Sequence, residues 1–122
     1  MSAVVLVFDE ELNLRLSIAQ ILREAGYVVV VAEKICEAHE ILANLQLDLV
    51  FLNLKSYLPA EQAFLNEIRE LYPQLPLLVL NTYEPFEKSR LGKSTAETRV
   101  MVKPVDPPAI LEALDSLLGH DN

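Results

Sequence analysis

The chain has 122 residues, 52% of them apolar, and carries 18 acidic against 10 basic side chains for a formal net charge of -8. That length suits one domain, and a mean hydropathy of +0.26 supplies material to bury about two-thirds of the unfolded surface. A negative charge spread over the surface repels a phosphate backbone and disfavours nucleic-acid binding. No apolar stretch approaches the ~20 residues of a membrane span, and Met1 to Val5 lacks the basic flank of a signal peptide. The single Cys36 cannot form an internal disulfide and is expected as a small buried or half-buried apolar residue. The expectation is a cytoplasmic chain forming one domain over 1–122, with 119–122 as a tail. The same ending reads equally as a cut before a linker to an output domain.

Five short runs rich in β-branched residues follow in order: Val4 to Phe8, Tyr27 to Val31, Leu47 to Leu52, Leu75 to Leu80 and Val100 to Val102. Stretches of helical spacing separate them. The first, from about Glu11 to Ala25, carries Leu14, Ile18, Ile21, Leu22 and Ala25 on one stripe and is closed by Gly26. The second carries Ile35, Ala38, Ile41, Leu42 and Leu45. The third carries Phe64, Ile68 and Leu71 and ends at Tyr72-Pro73. In the last, Asp106 is placed as N-cap before Pro107 and Pro108, and the stripe Ile110, Leu111, Leu114, Leu117, Leu118 stops at Gly119. Between Glu84 and Arg99 only Phe86 and Leu91 are sizeable and apolar, so the fourth helix is expected to be short, shifted or mobile.

Alternating strands and helices imply parallel strands covered on both faces, and runs such as Val28 to Val31 and Leu49 to Leu52 suit burial on both sides. The fold class is therefore α/β with a doubly wound sheet. Its functional crevice lies beyond the carboxyl ends of the strands, where the sequence puts Asp9, Glu10, Asn53, Asn81 and Lys103. Asp9 and Glu10 precede a helix N-terminus and have the chemistry to hold a hard divalent cation, or simply to cap and solubilise the helix. Lys103 can neutralise such a pair or bind a phosphoryl oxygen.

With those residues in place, the chain resembles the receiver domains of two-component response regulators from about Val4 to Leu118. Leu6-Val7-Phe8-Asp9-Glu10-Glu11 with Asn13-Leu14-Arg15 is similar to that family's acidic pair and first helix. Asp48-Leu49-Val50-Phe51-Leu52-Asn53 is similar to its phosphoacceptor strand, Leu80-Asn81-Thr82-Tyr83 to its hydroxyl-switch segment, and Val102-Lys103-Pro104-Val105-Asp106 to its lysine segment. The resemblance implies a flavodoxin-like (βα)5 fold with five parallel strands in the order 2-1-3-4-5. It also implies an aspartate that takes a phosphoryl group from a histidine kinase, with Mg2+ on the acidic pair, the acceptor and a backbone carbonyl two residues on, here that of Lys55. A Ser or Thr and an aromatic residue of the fifth strand would then shift, changing a partner-binding face made by the fourth helix, fifth strand and fifth helix.

Three positions depart from that pattern. Asn53 stands for the acceptor, Asn81 for the switch hydroxyl and Val100 for the mobile aromatic residue. The expectation is an atypical, non-enzymatic pseudo-receiver that cannot accept phosphate at Asn53, with Mg2+ at Asp9, Glu10 and the Lys55 carbonyl weak or absent and no other cofactor. It would act by binding a protein partner, an attached output domain, or a second copy through the face just named. The alternative is a Mg2+-dependent phosphoacceptor or phosphoryl-transfer domain using Asp9 or Glu10. Gly92-Lys93-Ser94 lacks the glycine a phosphate-binding loop needs at position 87, which is Glu87. Lys88, Arg90 and Lys93 read as a solvated basic patch, and His39 and His120 as surface residues.

Overall fold

The computed structural model describes residues 2–54, 59–81, 98–102 and 106–119. Its elements in chain order are β1 (Val4–Phe8), α1 (Leu12–Glu24), β2 (Val28–Ala32), α2 (Ile35–Asn44), β3 (Leu49–Leu54), α3 (Pro59–Leu71), β4 (Leu77–Asn81), β5 (Thr98–Val102) and α4 (Pro107–Leu118). The strands form one sheet in the order β2-β1-β3-β4-β5, and every neighbouring pair is parallel. The doubly wound α/β expectation and its strand order hold. Four helices are seen among the described residues; of the stretch 84–99 in which a fourth helix was expected, 84–97 lie outside them while Thr98 and Arg99 open β5, and the closing helix is α4.

Side chains alternate across a strand with a period of two, and that alternation divides the core. Val5, Val7, Leu49, Phe51, Leu78 and Leu80 face α1 and α4. Leu6, Phe8, Val50, Leu52, Leu77 and Val79 face α2 and α3, where Phe8 packs against Phe64 with ring centroids 5.5 Å apart. Each fully buried Leu or Phe contributes about 1.5–3 kcal/mol. The three central strands, apolar on both faces, thus bind the helices to the sheet and fix the rigid edge from which the site projects.

The helix ends follow from local chemistry. Gly26, at φ +101°, takes the left-handed turn after α1 that side chains resist, and Gly119 does the same after α4 at φ +72°. The Asp106 side chain accepts from the Ala109 N–H at 3.1 Å, with prolines in the first turn behind it. Tyr27 Oη donates to the Asp115 carboxylate and ties the start of β2 to α4.

Several expectations are corrected. The buried stripe of α1 is Arg15, Ile18, Ala19 and Leu22, whereas Leu14 and Ala25 are exposed. The helix is turned so that an arginine lies inside. β2 is an edge strand and is only partly covered: Val29 and Ala32 are buried against the two helical layers, but Val28 is 49% exposed and Val30 and Val31 are half-buried. Leu45 and Leu71 end their helices in solvent. Cys36 is exposed in the first turn of α2. His39 is only half exposed: its ring meets Phe64 edge-on at 5.1 Å, and Nε2 lies 3.5 Å from Glu67 Oε2.

Candidate functional site

The carboxyl ends of β1 and β3 meet at a buried pair. Phe8 and Leu52 are the last register partners of these strands, so the next residues on each, Asp9 and Asn53, come side by side. Asn53 Nδ2 donates to Asp9 Oδ2 at 2.7 Å. Asp9 is 3% and Asn53 5% exposed, so this bond is sealed from water. The reverse amide orientation would set two acceptors against each other, which fixes the placement of Nδ2.

Asp9 is held on every side. Its N–H donates to the Ala32 carbonyl at 3.1 Å, closing the end of β2. Its Oδ1 accepts the N–H of Glu11, the N-cap residue of α1, at 2.9 Å and so holds the turn that leads into the helix. The positive end of the α1 dipole favours the carboxylate there. Arg15 Nη1 donates to the Asp9 carbonyl at 2.9 Å and lies 4.0 Å from Glu33 Oε2. Arg15 is 8% exposed. Sequence reading missed it as a site residue, although an arginine three residues into a helix after an acidic turn is well placed to reach back to that turn.

The other expected residues divide. Glu10 is exposed, so the acidic pair separates into one inward and one outward carboxylate. Asn81 ends β4 one rung beyond Leu80, the register partner of Asn53, and Val100 pairs with Val79 in the middle of β5. Lys103 and Lys55 lie outside the described residues, as do Lys88, Arg90, Lys93 and His120.

A divalent cation at this site would need oxygen lone pairs turned toward it. Here one Asp9 oxygen takes the Asn53 N–H and the other takes the Glu11 N–H. The Asn53 Oδ1 atom is buried without a hydrogen-bond partner among the described residues, and it sits on the side of the amide turned away from that bond. Among the described residues no group of three or more His, Cys, Asp or Glu side chains is placed to hold a metal ion, and each Asp9 oxygen already accepts a hydrogen bond from the chain.

A model of the response regulator receiver domain matches residues 5–115. The chain belongs to that family, whose members serve two-component signalling. Among curated relatives it is similar to the transcriptional regulatory protein ZraR of Escherichia coli K12, with 27% identity over 116 residues, covering 95% of this chain and 26% of the relative. The chain therefore spans about a quarter of the length of the curated relatives it matches. Among solved structures it is similar to the chemotaxis protein CheY4 of Vibrio cholerae, with 28% identity and a TM-score of 0.83 over 97% of this chain and 100% of that one. It is also similar to NtrX of Brucella abortus, with 25% identity and a TM-score of 0.83 over 98% of this chain and 27% of that one. Among the described residues no helix is long and apolar enough to cross a membrane.

Proposed function

We propose that this receiver domain signals without phosphorylation at its central site, by binding a protein domain in a state set by its own side chains. The observation that carries this reading is the 2.7 Å bond from Asn53 Nδ2 to Asp9 Oδ2. An acyl phosphate forms by attack of a carboxylate oxygen on phosphorus, with loss of the donor's leaving group. The Asn53 amide nitrogen has its lone pair in the carbonyl π system, and its oxygen has no formal charge. Phosphorylation of an aspartate would change the local charge by about one unit and add strong acceptor oxygens; Asn53 supplies a neutral donor instead.

Asp9 is a poor surrogate acceptor, because both of its oxygens accept hydrogen bonds and it is nearly sealed from solvent. Mg2+ is then dispensable, and the domain is a non-enzymatic cytoplasmic adaptor. Its partner is an attached output domain or a separate protein, since ZraR and NtrX are each much longer than this chain. With Asn81 and Val100 at the switch positions, regulation comes from abundance or competition between partners.

The test is an amide NMR spectrum recorded before and after adding acetyl phosphate with Mg2+. The reading predicts an unchanged spectrum for the native chain and shifts around the strand ends for Asn53→Asp. Shifts of comparable size in the native chain would overturn it.

A further inference from the structure

We propose that the free edge of β2 is a docking surface for a second copy of this chain, the two β2 strands pairing antiparallel into one continuous sheet. This is independent of the phosphorylation reading. It also uses the edge opposite β5, the element named in the sequence-based dimer expectation.

β2 is the outermost strand, and its Val28 to Val31 run has neither charge nor proline to discourage strand addition. The Val28 N–H donates to Ala3 and the Ala32 carbonyl accepts from Asp9, so Val28, Val30 and Ala32 turn their backbone groups inward. Val29 and Val31, alternating with them, turn theirs outward. The outward Val29 carbonyl is covered in the free chain by Arg23 Nη2, at 3.1 Å from α1.

That contact also shows which flank of α1 overhangs the edge. Leu12 and Leu16 lie on the Arg23 flank by helical spacing, and they are 54% and 52% exposed. A twofold axis perpendicular to the sheet at Val30 sets Val29 opposite Val31 of the second copy, where each satisfies the other's backbone groups. The same axis keeps both α1 helices on one side. It places Arg23 of one copy beside Leu16 and Glu33 of the other, and both Arg23 and Glu33 lie on the α1 side of the sheet.

Charge complementarity thus selects a second copy: the guanidinium that guards Val29 is released to a carboxylate across the seam, twice by symmetry. On the opposite side Glu37 and Glu40 line the α2 flank near Val31. Their mutual repulsion keeps the association reversible and concentration-dependent.

Val30 on the axis forms a pair that shares no hydrogen bonds, with Cα atoms about 4.5 Å apart, within the reach of a disulfide. Val30→Cys in a Cys36→Ser background should therefore give a covalent dimer on mild oxidation. Sedimentation equilibrium of the otherwise native chain should show mass rising toward a dimer. Glu33→Arg should weaken association about tenfold, and adding Arg23→Glu should restore it. A strictly monomeric mass at about 1 mM, an oxidised Val30→Cys chain that stays monomeric, or a charge swap that fails to restore association would each overturn the proposal.

Discussion

Asn53 and Asp9, separated by 44 residues in sequence, share a buried 2.7 Å hydrogen bond across the ends of β3 and β1. Each Asp9 oxygen thereby accepts a hydrogen bond from the chain itself, from Asn53 Nδ2 and from the Glu11 N–H, while Asn53 Oδ1 stays buried with no partner among the described residues.

Asn53→Asp reverses that economy. It brings a second carboxylate against Asp9, and two such groups at that distance cannot both stay ionised without a cation. The variant should lose about 1–3 kcal/mol at neutral pH without divalent ions. Added Mg2+ should raise its melting temperature while leaving the native chain's unchanged, which differential scanning calorimetry reads directly.

Asp9→Ala removes two bonds, the acceptor for Asn53 and the acceptor for the Glu11 N–H. It leaves a buried amide without its partner. The expected cost is about 2–4 kcal/mol by urea titration, with the turn into α1 loosened.

Arg15 ties the Asp9 turn to α1 through a buried bond to its carbonyl. Arg15→Met keeps much of the stem packing but removes the donor. It should cost about 1.5–3 kcal/mol and loosen the Asp9 turn, seen as faster amide exchange at Glu10 and Glu11. Arg15→Lys should recover only part of the loss, since a lysine lacks the planar fork.

Tyr27 has its phenol pushed well above its ordinary value, first by burial and then by its hydrogen bond to Asp115 and that carboxylate's charge. The folded state therefore holds the proton more tightly than the unfolded chain does. This contribution is complete below the unfolded value of about 10 and is lost as pH climbs above it. Stability followed by denaturant titration should fall on the alkaline side for the native chain, and Tyr27→Phe should flatten that fall.

Much of the architecture was legible because the strands announce themselves as apolar runs and the helix ends carry their own stop signals, Gly26 and Gly119. What misled were cases where an amino-acid type does not say which neighbours it meets. The Val28 to Val31 run looks like a two-sided buried strand, and only the sheet order shows that it is the edge. Arg15 has no place in the apolar stripe read for the first helix, but a guanidinium can go inside when a carbonyl waits for it. The sequence located Asp9 and Asn53 at strand ends; their mutual bond depends on the β1 and β3 register, which no local pattern encodes. Glu10, adjacent to Asp9 in the chain, points the other way because the turn into α1 has begun.

The central claim is tested most directly by intact-mass spectrometry of the native chain after incubation with acetyl phosphate and Mg2+, with Asn53→Asp as the positive control. The account predicts no phosphoryl adduct on the native chain and a hydroxylamine-labile adduct on the variant. A stoichiometric phosphoryl adduct on the native chain, at Asp9, Glu10 or elsewhere in the domain, would contradict it.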